Sequence, residues 1–251
     1  MGVFDWFKLK EREEVVYPPY DYSKIGVDMH SHLLPGIDDG SRSMDETIAM
    51  LAKFESLGYR KVVTTPHVMG DYYKNTPETI LEGLGEVRKM AKQLNLKIEI
   101  EAAAEYYYDE SLWNKLINKE QLLTFGENYL LFEFSFHSRQ SRINDIIFEM
   151  TTQGYQTIIA HFERYTYFLG NIQPAIDLKE KGVKIQMNLN SLTGHYGMEI
   201  KAQAERLIDA GVVDFVASDC HRMEHLMKIE ELAKFPYVHK LDELNLLNNT
   251  L

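Results

Sequence analysis

Hydrophobic and polar positions along the chain follow two patterns in turn, one typical of strands and one typical of helices. Short apolar runs, such as 61–65 and 129–134, are typical of buried strands. Between them apolar residues recur at helical spacing, and glycines such as Gly58 and Gly154 end these segments. The predicted strands begin at residue 25 and then cover 61–65, 98–104, 129–134, 157–160, 183–189 and 212–217. The predicted helices cover 43–57, 77–94, 109–118, 141–153, 171–181, 197–210, 224–234 and 238–247. Ser43 with Glu46 three residues later predicts a capping box at the start of the first helix, and Thr76 with Pro77 predicts the start of the second.

The regular alternation of strand and helix predicts an α/β fold with parallel strands and right-handed crossovers. Seven strands close most economically into a single barrel over residues 25–251, close to a TIM barrel with one strand fewer. A doubly wound open sheet is the alternative. Residues 1–24 are predicted to form an N-terminal extension. In it Phe4, Trp6 and Phe7 alternate with charges, which suits a short amphipathic helix, an interface arm or a frayed tail.

Composition narrows the class of protein. The chain has 251 residues and a net charge of −11, and 45% of its residues are hydrophobic, enough for a large core. The charge disfavours nonspecific nucleic-acid binding and suits carboxylates that bind cations. No apolar run reaches the ~18 residues of a transmembrane helix. The N-terminus lacks the apolar core of a signal peptide, and a single cysteine excludes an internal disulfide. We therefore expect a cytoplasmic protein without a transmembrane segment.

Histidines and carboxylates occur where the predicted strands end. The first strand places His30 and His32 on one face, about 6–7 Å apart along the strand. Barrel active sites lie at the carboxyl ends of the strands, so these side chains are predicted to converge on one metal site. The candidate ligands are His30, His32, Asp39, His67, Glu105, Glu133, His161, Asp219 and His221.

The types of ligand indicate the metal and the chemistry. Imidazoles and carboxylates without a thiolate suit Mn²⁺, Fe²⁺ or Zn²⁺. Nine ligands are too many for one ion and fit three ions that share a bridging carboxylate. Closely spaced divalent ions are suited to the hydrolysis of phosphate esters.

Two arginines lie beside these ligands in the chain. Arg164 is part of AHFERY, and Arg222 is part of SDCHR. A guanidinium group binds two phosphate oxygens at once, which makes both arginines candidate catalytic residues. Arg164 is the stronger candidate, because it lies in the loop directly after a ligand.

The other reactive side chains carry weaker arguments. Cys220 alternates with its two ligand neighbours, so we expect its thiol to point away from the metals. Leu226 stands where a Cys-x₅-Arg phosphate loop would need arginine. Tyr106–Tyr108 lies at the rim and suits either an aromatic substrate or a packed cluster. The remaining histidines are interpreted as structural, with His195 as the strongest exception; they are His137, His195, His225 and His239.

With these residues in view, the chain resembles the PHP (polymerase and histidinol phosphatase) family. Within it, the chain is similar to the manganese-dependent tyrosine-protein phosphatases that regulate bacterial capsule and exopolysaccharide synthesis. The segments that carry the resemblance run from residue 28 to 221 and are DMHSHLLPGIDDG, TTPH, AAAEYY, LLFEFS, IIAHFERY and ASDCH. The chain departs from the family at its start, because the HxH motif of the family lies near residue 1.

The resemblance implies the PHP fold, a distorted seven-stranded barrel with a trinuclear site, and it supports Arg164 as a phosphate ligand. It also implies how the ligands divide among the ions. One ion takes His30, His32, Glu105 and Asp219; a second takes Glu105, Glu133 and His161; the third takes Asp39, His67 and His221. Glu105 is then the bridging carboxylate.

The leading functional hypothesis is hydrolysis of phosphotyrosine on a protein, with a tyrosine kinase of polysaccharide export as the expected partner. A phenol, with a pKa of about 10, leaves more easily than an alcohol, so no strong general acid is assigned. The first alternative is a small-molecule phosphatase of the same family, such as one acting on histidinol phosphate. A dinuclear amidohydrolase is the second, although it leaves His67 and Arg164 unexplained. A metal-dependent binding protein is the non-enzymatic alternative.

Overall fold

The computed structural model describes residues 17–251, so the aromatic positions predicted for an N-terminal helix or arm lie outside the described residues. The strands are β1 (Val27–Asp28), β2 (Lys61–Thr64), β3 (His67–Val68), β4 (Glu99–Ala102), β5 (Glu105–Tyr107), β6 (Tyr129–Glu133), β7 (Gln156–Ile159), β8 (Lys184–Asn188) and β9 (Phe215–Ala217). The α-helices are α1 (Met44–Ser56), α2 (Pro77–Gln93), α3 (Glu110–Ile117), α4 (Ile143–Thr152), α5 (Gln173–Glu180), α6 (Met198–Asp209) and α7 (Met223–Leu232). Short 3₁₀ helices cover Tyr22–Lys24, Phe162–Arg164, Thr166–Phe168, Leu189–Thr193, Pro236–Glu243 and Asn248–Thr250.

The strands pair in parallel and in the order of the chain. One sheet has the order β1-β2-β4 and the other the order β3-β5-β6-β7-β8-β9. β2 lies within the predicted second strand and β4 within the third, whereas β3 and β5 continue each of them beyond its predicted end. Backbone bonds continue across both breaks, since Ala103 N–H donates to Thr64 O at 2.9 Å and Glu105 N–H donates to Pro66 O at 3.1 Å. Pro66 has no N–H to donate, which accounts for the interruption between β2 and β3.

The first and last strands meet and close the barrel. His32 N–H donates to Cys220 O, and Asp219 N–H donates to His30 O, both at 2.9 Å. These bonds flank an isolated parallel bridge between Ser31 and Cys220. A doubly wound open sheet leaves its edge strands apart, so this alternative is wrong. The predicted α/β fold, a distorted TIM-like barrel, is confirmed.

Side chains on the two faces of the strands form two separate apolar clusters. In β6, Leu131 belongs to the cluster inside the barrel, whereas Leu130 and Phe132 belong to the cluster under the helices. This alternation is the two-residue period of a strand with both faces covered. The inner cluster consists of Val27, Met29, Val63, Ala103, Phe125, Tyr129, Leu131, Ile158, Ala160, Phe215 and Ala217.

Two details of the helix predictions need correction. Ser43 Oγ accepts a hydrogen bond from Glu46 N–H at 3.3 Å, as a capping box requires. However, the Glu46 carboxylate accepts from Arg42 N–H at 2.9 Å and not from Ser43, so the predicted box is only half formed. The helix predicted over 238–247 is also wrong, because this segment forms the 3₁₀ helix Pro236–Glu243.

Residues before the first strand pack on α7. Tyr22 Oη donates to Ile229 O at 2.6 Å, and Tyr20 N–H donates to Ala233 O at 2.7 Å. Both tyrosines are buried. The division into an extension over 1–24 and a barrel over 25–251 stays a prediction. Within residues 17–251, no helix has the length and apolar character needed to cross a bilayer.

Candidate metal centre

The nine candidate ligands meet at the carboxyl end of the barrel, because each of them ends a strand, follows one, or lies in the short strands β3 and β5 that continue β2 and β4. His30, His32 and Asp39 follow β1, His67 lies in β3, Glu105 in β5 and Glu133 in β6, His161 follows β7, and Asp219 and His221 follow β9. Parallel strands bring these positions to one rim although they span 192 positions of sequence, 30 to 221.

Two of these residues have strained backbone conformations. His161 has a φ of 32° and Asp219 a φ of 49°, in the left-handed region that non-glycine residues avoid. Such strain costs of order 1–3 kcal/mol and is typical of functional sites. Both residues are held by buried hydrogen bonds: His161 N–H donates to Gln186 Oε1 at 2.7 Å, and Asp219 N–H donates to His30 O at 2.9 Å.

The centre of the cluster consists of four buried side chains, His30, His32, Glu105 and Asp219. The Nε2 atoms of the two histidines are 3.3 Å apart. Glu105 Oε2 lies 3.3 Å from His30 Nε2 and 3.5 Å from His32 Nε2. Asp219 Oδ1 lies 3.5 Å and 3.4 Å from the same two nitrogens. The four side chains thus aim their ligand atoms at one small volume.

Glu105 is shared with a second group of ligands. Its Oε1 lies 3.0 Å from His161 Nε2, and Glu133 Oε2 lies 3.5 Å from that nitrogen. His67 Nδ1 also approaches this group, at 3.0 Å from Glu105 Oε2 and 3.3 Å from Glu133 Oε1. Glu105 therefore connects the other central residues, through His30 and His32, to His67 and His161.

The third group opens to solvent. Asp39 Oδ1 lies 3.5 Å from His67 Nε2 and 3.5 Å from His221 Nε2. The His221 ring also stacks on the His32 ring, with centroids 4.0 Å apart. The Asp39 side chain is 50% exposed, whereas Glu105 is buried, so the cluster faces the cavity on the Asp39 side.

The residues fit a group of divalent cations. Glu105 Oε2 and His67 Nδ1 are buried 3.0 Å apart, yet neither atom makes a hydrogen bond of normal geometry. His, Asp and Glu side chains form four overlapping groups, and within each group the ligand atoms lie within 4.8 Å of one another. A set of nitrogen and oxygen donors without sulfur suits Mn²⁺, Fe²⁺ or Zn²⁺.

The charges of the ligands balance one another. Burial lowers the pKa of His30, but Glu105 and Asp219 raise it to about 9. Burial raises the pKa of Glu105, yet His30 and His67 hold it well below its usual value. Asp219 is affected in the same way, by burial in one direction and by His30 and His221 in the other, and its pKa is also well below normal. These carboxylates are therefore ionised and able to act as ligands.

Polar residues behind the ligands orient the imidazole rings. His32 Nδ1–H donates to Asp38 Oδ2 at 2.8 Å, and His30 Nδ1–H donates to Gln186 Oε1 at 3.1 Å. Each bond directs Nε2 of its histidine into the cluster, as partners of metal-binding histidines do. Asp38 and Gln186 are not among the predicted site residues. The sequence KIQMNLN contains a pattern that could have identified Gln186, because polar Gln186 and Asn188 alternate with apolar residues in a buried strand.

Arg164 reaches the cluster through Asp219. Arg164 Nη1 donates to Asp219 Oδ2 at 3.0 Å, and Asn188 Nδ2 donates to the same oxygen at 2.7 Å. Two aromatic rings contact the guanidinium group, with its Cζ 4.3 Å from the Phe136 ring centroid and 4.2 Å from that of Tyr196. The sequence alone did not single out either ring.

A cavity of about 510 Å³ lies over the ligand cluster. Arg164 and Arg222 both line it, and Arg222 is exposed at the start of α7. His137 and His225, interpreted from the sequence as structural, also line it. The aromatic part of the lining consists of Tyr73, Tyr107, Phe134, Phe136 and Tyr196.

Cys220 is buried and lies outside the cavity lining. Its Sγ is 3.6 Å from Met50 Sδ, and burial raises the pKa of the thiol well above its normal value. A thiolate nucleophile is therefore disfavoured. Of the rim tyrosines, Tyr106 is buried and its Oη accepts from Leu123 N–H at 2.7 Å, while Tyr107 lines the cavity. His195 accepts a hydrogen bond from Lys228 Nζ at its Nδ1, at 2.6 Å.

A family of capsular polysaccharide synthesis proteins, CpsB/CapC, matches residues 26–235 of this chain. The chain belongs to the CpsB/CapC family. It is 29% identical to the tyrosine-protein phosphatase YwqE of Bacillus subtilis, over 79% of this chain and 78% of YwqE. It is 30% identical to the putative tyrosine-protein phosphatase CapC of Staphylococcus aureus, over 78% of this chain and 76% of CapC. It is also 30% identical to the tyrosine-protein phosphatase CpsB of Streptococcus pneumoniae, over 79% of this chain and 84% of CpsB.

Solved structures agree with this placement. A chain from the crystal structures of YwqE and CpsB, described as metal-dependent tyrosine phosphatases, matches with a TM-score of 0.77 at 28% identity over 86% of both chains. A lactonase from Listeria monocytogenes matches with a TM-score of 0.54 at 13% identity, over 91% of this chain and 89% of the lactonase. This match shows a similarity of fold alone. Membership of CpsB/CapC confirms the family resemblance drawn from the motifs between residues 28 and 221.

Proposed function

We propose that this CpsB/CapC protein is a metal-dependent phosphatase that hydrolyses phosphotyrosine on a protein. The observation that carries the proposal is the meeting of histidine and acidic side chains with two arginines at one cavity. Relatives named tyrosine-protein phosphatases, YwqE and CpsB, support the substrate class. Tyr73 and Tyr107, aromatic residues of the lining that are separate from the two rings on Arg164, suit the phenyl ring that carries the phosphate.

The proposal includes three divalent ions, with Mn²⁺ preferred over Fe²⁺ and Zn²⁺. The ligands are His30, His32, Glu105 and Asp219 for one ion, Glu105, Glu133 and His161 for the second, and Asp39, His67 and His221 for the third. The distances from Glu105 to three different histidines support its place as the bridge. These residues would hold divalent ions, which when bound would supply Lewis-acid charge for activating water and stabilising phosphoryl oxygens.

Arg164 and Arg222 are the proposed phosphate ligands. A guanidinium group has five N–H donors, and Arg164 uses one nitrogen for Asp219. The remaining donors are available to phosphoryl oxygens in the cavity, where added charge is stabilised best by preorganised groups. Orientation of His30 and His32 by Gln186 and Asp38 keeps their Nε2 atoms available to the ions.

The proposed partner is a phosphotyrosine protein, a tyrosine kinase of polysaccharide export, in the cytoplasm. The family description, capsular polysaccharide synthesis, supports this partner. The single cysteine is a free thiol, which suits a reducing compartment.

The test compares three substrates on protein purified without chelator: a phosphotyrosine peptide, a phosphoserine peptide and histidinol phosphate. We expect Mn²⁺-dependent hydrolysis with the highest kcat/KM on the phosphotyrosine peptide. Glu105→Gln should abolish this activity, because it removes the bridging charge, while the exposed Glu110→Gln should not change it. A higher kcat/KM on histidinol phosphate would instead identify a small-molecule phosphatase.

A further inference from the structure

The guanidinium group of Arg164 is held by aromatic rings from two different loops. Phe136 lies between β6 and α4, and Tyr196 lies between β8 and α6. Their ring centroids are 4.3 Å and 4.2 Å from Arg164 Cζ. All three side chains are half-buried and line the same cavity. We refer to Phe136 and Tyr196 together as the aromatic clamp.

Both loops of the clamp are fastened to the turn that carries Arg164. Thr166, two residues after Arg164, donates to Phe136 O through its N–H at 2.9 Å and through its hydroxyl at 2.8 Å. Glu163, one residue before Arg164, accepts from Ser191 Oγ at 2.5 Å and from Asn188 N–H at 3.0 Å. The clamp and the arginine therefore form one connected unit.

Contacts between the clamp and Arg164 reduce the entropy that the arginine side chain would lose on binding a ligand. A free arginine side chain loses about 2 kcal/mol of rotamer entropy when it is fixed on a ligand. The two ring contacts and the hydrogen bond from Nη1 to Asp219 restrict the guanidinium group in advance. The N–H donors that Asp219 does not use are left for a ligand in the cavity.

We propose that Phe136 and Tyr196 are positioning residues that preorganise Arg164 for a phosphoryl group. This inference rests on the proposed role of Arg164 as a phosphate ligand. Its distinguishing consequence is that the rings act through Arg164 on phosphate itself, whether or not the phosphate carries an aryl group. Rings that instead packed against the substrate phenyl group would affect only aryl phosphates.

The test is a double-mutant cycle read out by phosphate binding. Affinity for inorganic phosphate is measured by calorimetry on Mn²⁺-loaded protein, together with kcat/KM on a phosphotyrosine peptide. We expect Tyr196→Leu and Phe136→Leu each to weaken phosphate binding roughly tenfold, the effect of losing one cation–π contact of about 1.4 kcal/mol. Tyr196→Phe and Phe136→Tyr keep a ring and should stay within about twofold of wild type.

Replacing each ring in Arg164→Ala protein tests whether the rings act through Arg164. In Arg164→Ala protein, removing either ring should cause no further loss of phosphate affinity, because the clamp has nothing left to position. Equal losses in both backgrounds, or losses confined to the peptide, would overturn the inference. Metal content and circular dichroism identify a variant that fails to fold. If a variant of one ring fails, the variant of the other ring, on a different loop, gives the same test independently. Wild-type protein that binds phosphate but does not hydrolyse the peptide would contradict the proposed function and leave this cycle interpretable.

Discussion

At the scale of single residues, Arg164 is the side chain whose removal separates phosphate binding from metal binding. Arg164→Ala should lower kcat/KM on a phosphotyrosine peptide by about 10²-fold, comparable to losing one preorganised donor. Metal content should not change, since Asp219 keeps its hydrogen bond from Asn188 at 2.7 Å. Lysine should restore only part of the rate, because an ammonium group cannot bind two oxygens in the plane of a guanidinium group.

The matched control for this variant is Arg139→Ala. Arg139 is exposed and lies outside the lining of the catalytic cavity, so the same change of charge there should leave kcat/KM near wild type. If Arg164→Ala keeps wild-type kcat/KM, or loses its metals, Arg164 is not the phosphate ligand. Arg222, the other arginine of the cavity, is then the next residue to replace.

Cys220 allows a second prediction at this scale. Its thiol packs against Met50 and does not line the cavity, so Cys220→Ala should retain most of the activity. The expected change is a modest loss of stability, about 1 kcal/mol, from the small space left in the core. Rates normalised to folded protein are the appropriate measurement. A loss of about 10³-fold at full metal content would point to a nucleophilic thiol.

At the scale of secondary-structure elements, the sequence predicts what depends on local pattern and misses what depends on contacts between elements. The caps at Ser43 and Thr76 were visible because the capping residue and its helix are adjacent in sequence. The 3₁₀ helix Pro236–Glu243 was misread because Val238 and Leu241 are three residues apart, a spacing that α and 3₁₀ helices both allow.

The site divides in the same way. Ligands such as His161 could be predicted because they follow strands, and the topology brings strand ends together. The aromatic contacts of Arg164 could not, because Phe136 and Tyr196 come from loops whose mutual placement no local pattern specifies. The residues behind the ligands, such as Gln186, could be predicted in part. Their alternation with apolar residues can be read from the sequence, but the histidines that they bind cannot.

Closure of the barrel leads to a prediction about Asn248. Its Nδ2 donates to Val27 O at 2.9 Å and to Val216 O at 2.7 Å, and its Oδ1 accepts from Val216 N–H at 3.1 Å. This side chain thus joins β1 to β9 where backbone bonds do not. Asn248→Ala leaves buried backbone groups without partners and should lower the free energy of unfolding by about 2–4 kcal/mol.

Urea unfolding of Asn248→Ala and of its neighbour variant Asn249→Ala measures this effect. Asn249 is exposed and its side chain donates one hydrogen bond, to Lys24 O, so its replacement should cost about 1 kcal/mol or less. Equal midpoints for the two variants would show that the side chain of Asn248 does not contribute to closure.

At the scale of the whole molecule, the fold and the metal site are built from different residues. The two apolar clusters run through the interior of the barrel and beneath the helices, and no candidate ligand belongs to either. The ligands lie at one end of the barrel, in β3, β5 and the last residue of β6 or on segments that follow strands. Stability therefore depends mainly on apolar burial, which is large in a chain of this length. The rim carries the chemistry.

This separation predicts how the protein responds to chelation. Removing divalent ions should abolish phosphatase activity while circular dichroism stays close to that of the untreated protein, and Mn²⁺ should restore the activity. Added Mn²⁺ should also raise the Tm in a concentration-dependent way, because an ion that binds only the folded state stabilises it by mass action. The measurement pairs peptide hydrolysis with thermal unfolding over one Mn²⁺ titration. Activity that survives exhaustive chelation contradicts the metal mechanism, whereas unfolding on chelation contradicts the separation of core from site.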